Sequence, residues 1–337
     1  MFAETSLSRG ERIVIAILIG IGGAALSYLT LRMYPQFVAR DYTYSWRAAQ
    51  ALLHGQNPYL VIRPTGPYPY ENYYYYPLPA ALVTLPLVGL AAVPSAAVFV
   101  GLSSAALAYV VTRDGFGFRG LLVFASVPYL TAAVLGQLTP LIVAAAFIPA
   151  LQWVYAAKPT IAAAVFAARP SLGGAALSVL LLLVSLILFP HWPSDWLQAL
   201  THTPHHRAAV VRPLGFIVLL ALLKWRTPEG RLMAVLACVP QVFFFYDQLP
   251  LTLTARTGRQ LALLVGLSWV AWAITWTTCT HRPACVEFAE PLILPFLYLP
   301  ALILVLRRPN EGVLPPWIDR LTQRVTSGVR AALPRTG

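Results

Sequence analysis

Acidic residues are scarce in this chain: 12 Asp and Glu among 337 residues, against 24 Lys and Arg, so that only 11% of the chain is charged. A water-soluble domain carries roughly a quarter charged residues, which sets a soluble globule aside. Disorder is excluded from the other direction, because a chain with 58% hydrophobic residues collapses or inserts rather than staying solvated. Cysteine is nearly missing, with 3 in the chain. Cys279 and Cys285 share one loop, and their spacing fits a bridge and two free thiols equally. Cys238 lies in an apolar run and reads as packing. No zinc spacing occurs, Cys279-Thr280-His281 alone being a weak signal, so no metal site is expected. Also missing are a Walker sequence, a GxGxxG after a strand and a paired Asp-x-Asp, which turns the reading away from nucleotide-bound substrates. No internal repeat stands out, and no linker marks off a second domain.

What is present is apolar sequence in long runs, so the expected fold class is all-α, a polytopic bundle of membrane helices. Ile13 to Tyr34 is too long for a signal-peptide core and is read as the first span. Further apolar segments follow at 77–91, 94–112, 120–135, 138–155, 172–189, 213–225, 232–246, 260–276 and 291–306. Together they predict about nine to ten spans, several too short to cross straight and therefore broken, tilted or re-entrant. Pro86, Pro94, Pro140, Pro149, Pro159 and Pro240 supply the breaks. The stretch from Gln137 to Arg169 is the least regular, and Pro149, Lys158 and Pro159 can divide it into two half-helices.

The net charge of +12 invites a nucleic-acid reading, but its position argues otherwise. Arg307, Arg308, Arg320, Arg324, Arg330 and Arg335 all follow the last apolar segment, against Glu311 and Asp319, and a basic tail there is what the positive-inside rule asks of a cytoplasmic terminus. No nucleic-acid partner is expected. The division is a membrane domain at 1–306 and a basic cytoplasmic tail at 307–337, with 35–76, 190–212 and 277–290 as external loops. All six histidines fall in segments assigned outside.

The first loop carries the chemistry. Residues 42–54 read as a helix lying on the membrane surface, with Trp46, Ala49, Leu52 and Leu53 on one face and His54-Gly55 closing it. Asp41 precedes it, and two roles stand for its carboxylate. One is the N-cap of this helix. The other is a partly desolvated base at the outer interface. Nine of the 16 Tyr lie between positions 42 and 76. Most are explained by an interfacial aromatic belt. The run Tyr73 to Tyr76 before Pro77 is denser than anchoring needs and suggests a groove for a sugar or a lipid head group, with Tyr44, Tyr59, Tyr74 and Tyr76 as its lining. Among other acidic residues, Asp247 lies between Tyr246 and Gln248 in an apolar stretch and is a pocket candidate. Glu71 reads equally as a sugar-orienting group and as a solvated loop charge. Asp114 pairs with Arg113 and Arg119, and Asp195 with Trp192 and Trp196 reads as the start of an interfacial helix. Gln137 is a candidate for hydrogen bonding inside the bundle.

The ordered set of Asp41, Ala51-Leu52-Leu53-x-Gly55, Asn57-Pro58-Tyr59, Tyr76-Pro77-Leu78 and Leu85-Pro86-Leu87 resembles the bacterial GT-C integral-membrane glycosyltransferases. Within these it looks most like the polyprenol-phosphate-mannose-dependent α-mannosyltransferases of lipoglycan synthesis. Gly136-Gln137, Lys158-Pro159 and Tyr246-Asp247 fall in the same order, so the resemblance spans roughly 35–300. The chain is shorter than typical members, with little room between Gln137 and Lys158. The resemblance implies a GT-C-like fold in a bacterial inner membrane, with the site in the first external loop. The donor would be a sugar on polyprenyl phosphate, and the acceptor a glycolipid or polysaccharide. Asp41 would take the proton of the acceptor hydroxyl in an inverting transfer. The leaving phosphate needs positive charge rather than a proton, and Arg63, Arg207 and Arg212, then His205 and His206, are the external cations available. Lys158 joins them if the break at Pro159 faces the cavity, an intramembrane Lys being functional by default. No cofactor is implied, and a divalent ion is left open. Two further readings stand beside this one: a transporter or flippase of lipid-linked sugar, and a non-catalytic relative acting as a partner subunit.

Overall fold

A computed structural model of the chain describes residues 7–34, 41–68, 70, 72–113, 117–202, 206–279, 286–312, 314 and 319. Those residues form no strand; they build helices and the turns between them. In chain order the α-helices are α1 (Arg9–Met33), α2 (Tyr42–Leu53), α3 (Pro58–Val61), α4 (Pro79–Thr84), α5 (Ala92–Val111), α6 (Val127–Leu135) and α7 (Thr139–Ala145). They continue as α8 (Pro159–Ala168), α9 (Leu172–Leu188), α10 (Trp192–Leu200), α11 (Pro228–Cys238), α12 (Gly258–Thr278), α13 (Val286–Ile293) and α14 (Leu299–Leu306). The last two join through one π-helical turn, Leu294–Tyr298, into a single apolar helix.

The start of α1 is set by Ser8, which caps the helix in a reciprocal box with Glu11. Its small residues then let α5 approach closely: a Cβ at Gly20 would lie 3.0 Å from that of Ala105, and Gly23 abuts the Ser104 side chain. The opposite face of α1 exposes Ile13, Val14, Ile17, Leu18, Ile21 and Leu29, and α9 similarly exposes Val179, Leu180, Leu183, Ile187 and Leu188. Apolar stripes of that extent are not tolerated against water. The exterior is that of a multi-pass membrane protein.

The span count differs from the expected nine to ten. Among the described residues, 4 helices are long and apolar enough to cross a membrane, or up to 6 if each bent pair counts as one span. Proline accounts for much of the difference. The stretch 77–91 does not run on as a crossing. Pro79 and Pro86 reduce it to α4 and a turn, and it folds back so that the Leu87 carbonyl accepts from Ser95 and the Leu90 carbonyl from Trp46 Nε1. Elsewhere short and 3-10 helices replace full spans. Phe245–Thr254 is a 3-10 helix that begins beside Asp247, and at its far end the Thr254 carbonyl accepts from Arg308. α8 follows Lys158 and ends where the Ala167 and Ala168 carbonyls accept from Arg231 at 2.7 and 3.0 Å. The bundle therefore has one end built around Lys158 and Asp247, and another around Glu229, Arg231, Arg256 and Arg308.

One local expectation is corrected and another is met. α2 keeps the expected bounds and the Gly55 turn, with φ +67, but it does not lie on the surface. Tyr42 through Trp46 are all buried, so its first turns are enclosed on every side. The break at Pro159 is present, and a 3-10 helix, Pro149–Ala157, fills the irregular stretch before it.

Candidate functional site

Asp41 does not cap α2. Its side chain makes no cap hydrogen bond, and its backbone sits at φ 40, ψ −92, a conformation that non-glycine residues rarely hold. Such strain persists where the surroundings over-determine it, which is frequent at functional sites. The carboxylate keeps part of its surface open although protein atoms surround it on all sides, the position of a group on the floor of a narrow cleft. Tyr42, Ser45, Tyr76, Thr84, Phe99, Gly136, Gln137 and Leu138 complete that cleft, which has room for about one water.

The neighbour that closes the cleft is placed by a glycine. Gly136 ends α6 in the left-handed region at φ +65, and a Cβ there would stand 2.6 Å from the Cβ of Tyr42. Only glycine lets the α6 terminus meet the start of α2. The next residue, Gln137, is thereby set beside Asp41. Gln137 Oε1 accepts from Lys158 Nζ at 3.0 Å, and the same ammonium donates to Asp247 Oδ1 at 2.6 Å. The second oxygen of Asp247 accepts from the Val242 N–H at 3.1 Å, and Tyr246 lays its ring 5.2 Å from Lys158 Nζ. Asp247 is thus satisfied at both oxygens. Asp41 is held more loosely: Tyr76 Oη donates to its Oδ1 at 3.4 Å, and Gln137 lies beside it.

The electrostatics follow from that difference. Burial raises the Asp41 carboxyl to about 6; Lys158 pulls it down, Asp247 pushes it up, and Gln137 and Tyr76 lower it through hydrogen bonding. Burial also holds the Tyr75 and Tyr76 phenols well above their ordinary value, so both remain protonated donors. A carboxylate poised near neutrality beside neutral phenols and one ammonium is suited to accept a proton.

The structure brings five of the sequence candidates together: Asp41, Tyr76, Gln137, Lys158 and Asp247. His206 stands at their margin with an exposed edge. Its imidazole is held below its usual value by desolvation, Asp247 opposing this and Lys158 and Arg212 adding to it. Arg212 pairs with Glu290 and lies 4.1 Å from the Phe243 ring, while Arg207 is exposed beside it. Other candidates are packing. Tyr74 is fully buried between Tyr59 and Tyr76, Tyr59 donates to the Tyr76 carbonyl at 3.0 Å, and Tyr44 packs at a tilt against Tyr70 and Tyr75. Arg63 sits in the turn whose Gly66 N–H donates to its carbonyl. Glu71, His205, Asp114 and Cys285 fall outside the described residues, as does most of the tail after 312. Among the described residues no group of three His, Cys, Asp or Glu could hold a metal ion.

One part of the site was not singled out in the sequence. Gln248 Nε2 donates to Gln241 Oε1 at 3.1 Å and to the Phe244 carbonyl at 3.2 Å, and Tyr298 Oη donates to the same Gln241 oxygen at 3.1 Å. These groups serve the irregular backbone at 239–244, which is buried and needs partners. Two glutamines flanking a Phe-rich break in an apolar stretch were the available signal.

Another cavity, of about 270 Å³, lies at the opposite end among Arg113, Glu229 and Arg256. None of the five convergent residues lines it. Compared with known proteins, the chain matches no family model, no curated protein and no solved structure.

Proposed function

We propose that the protein is a membrane glycosyltransferase that moves a sugar, mannose or another hexose, from a polyprenyl-phosphate donor to a glycolipid or glycan acceptor. One observation carries the reading. Asp41 is a desolvated carboxylate in a strained backbone, holding only a long hydrogen bond from Tyr76 and a neighbouring Gln137, next to a buried Lys158–Asp247 ion pair. Asp41 removes the proton from the attacking acceptor hydroxyl. That oxygen forms a bond to the anomeric carbon while the bond from that carbon to the phosphate oxygen breaks, and the configuration inverts. The proton remains on Asp41 and the electron pair leaves with the polyprenyl phosphate. In this reading His206, at the margin of the site, and Arg212 and Arg207 behind it would meet that phosphate charge. Lys158 acts through Asp247 and Gln137 rather than on the phosphate, because both its close contacts are already internal.

The cleft over Asp41 has room for about one water, so substrate binding requires its lining, Tyr76 among it, to move. The same narrowness favours a second reading, a non-catalytic relative serving as a partner subunit. Incubation of the purified protein with a radiolabelled polyprenyl-phosphate hexose and a glycolipid acceptor separates the two. The transferase reading requires label in the acceptor; no turnover alone, with co-purification of another membrane protein, points to the partner subunit, and movement of intact donor across the bilayer without a new glycosidic bond to a flippase.

A further inference from the structure

A second pocket lies one aromatic layer away from Asp41. Its volume is about 160 Å³, and it is lined by Asn57, Tyr59, Leu188, His191, Trp192 and Asp195, among others. It exists because α9 and α10 meet at 98° across the turn at Phe189–His191, which lays α10 over α3. Two tryptophans of α10 differ in a telling way. Trp196 donates its indole N–H to the Tyr75 carbonyl at 2.8 Å. Trp192 is 5% exposed, and its indole N–H has no partner. A buried, unpaired donor on a pocket wall calls for a ligand acceptor. Opposite in character is Asp195. One of its oxygens accepts from Asn57 Nδ2 at 2.7 Å, leaving the second oxygen and the second amide hydrogen of Asn57 uncommitted.

We infer that this pocket binds one pyranose ring of the acceptor glycan. It would use Trp192 Nε1–H and Asn57 as donors, Asp195 as acceptor, and the Tyr59 and Trp192 rings as apolar walls. Vicinal hydroxyls are the common group that both donates and accepts in this pattern. A phosphate or carboxylate is opposed by Asp195, and a cation by the unpaired indole N–H. Drug-sized ligands take roughly 300–1,000 Å³, so the volume admits a single ring and excludes a nucleotide or a folded lipid. Position agrees: Tyr59 lines the pocket and donates to the Tyr76 carbonyl, while Tyr76 faces Asp41. The inference deepens the transferase reading and rests on it for why a sugar is delivered here.

Calorimetric titration of the full-length protein in nanodiscs with methyl α-mannopyranoside, and with its gluco and galacto epimers, tests it directly. At least one glycoside should bind saturably. Trp192→Phe, which keeps a ring and removes the N–H, should weaken that binding roughly 2- to 10-fold, and Asp195→Ala roughly 10- to 100-fold. Asp41→Asn should leave it unchanged. Thermal unfolding of each variant identifies any that fails to fold, and Asp195→Asn then serves as the milder replacement. Absence of saturable binding by all three glycosides, or binding indifferent to both Trp192→Phe and the Asp195 variant, overturns the inference. Saturable, variant-sensitive binding without sugar transfer would sustain the pocket and count against the transferase reading alone.

Discussion

Lys158 Nζ lies 2.6 Å from Asp247 Oδ1, joining two residues far apart in sequence, with side-chain exposures of 11% and 2%. Buried charges are costly unless paired and hydrogen-bonded, and here the ammonium also reaches Gln137 while the carboxylate also takes the Val242 N–H. Removing either partner strands the other. Lys158→Met or Asp247→Leu alone is expected to destabilise by about 3–5 kcal/mol. Combining Lys158→Met with Asp247→Leu should recover a large part of that loss. Chemical denaturation of the three variants and wild type closes the cycle; single-variant costs that simply add contradict the pairing.

The raised Asp41 carboxyl predicts a pH dependence of defined sign. Below the ordinary carboxyl value of 3.8 both folded and unfolded states are protonated and the group is neutral to stability. Between 3.8 and about 6 the unfolded state ionises first, so folding loses stability as pH rises, and above about 6 the whole loss is present. That loss is on the order of 3 kcal/mol. Asp41→Asn should therefore be more thermostable than wild type at pH 7.5, with the gain disappearing towards pH 4. Activity should show the converse: wild-type turnover falls below about pH 6 as the base becomes protonated.

Gly136→Ala combines a φ of +65 with a Cβ driven against Tyr42. A cost of roughly 1–3 kcal/mol is expected from the backbone alone. The α6 end must also retreat from α2, carrying Gln137 away from Asp41. Transfer should fall more than thermal stability does, which parallel melting and turnover measurements would show.

Gln241→Leu tests the polar network beneath the site. It leaves Tyr298 Oη and Gln248 Nε2 without their shared acceptor. The expected cost is about 1–3 kcal/mol. Adding Tyr298→Phe in the same background should cost little more, because its hydrogen bond is already gone.

The helical class, the apolar exterior and the ends of α2 were legible because they follow from local rules: run length, a Gly55 turn and a scarcity of charge. Gln137, Lys158 and Asp247 were legible as polar groups in or beside apolar sequence, which demand a partner, and Asp41 by its place at the head of the helix in the first loop. Their partners were not, because the closure from Lys158 to Asp247 spans several helices and is set by packing. Span number failed where proline met short apolar runs. Composition registers 77–91 as a crossing, whereas Pro79 and Pro86 turn it back towards Ser95 and Trp46. The burial of α2 was likewise hidden, since a helix rich in Tyr and Trp is written the same way for an interface and for a core. Gln241 and Gln248 escaped notice because two amides in an apolar stretch carry no spacing signature.

In the proposed reaction Asp41 is the base of a sugar transfer. The most direct measurement is the initial rate of label transfer from a polyprenyl-phosphate hexose to a glycolipid acceptor, for wild type and Asp41→Asn at pH 7.5, with both proteins verified as folded. Loss of a positioned base typically removes 10²–10⁴-fold of the rate, so the variant should fall by roughly that factor. An Asp41→Asn protein that transfers sugar as fast as wild type contradicts the account.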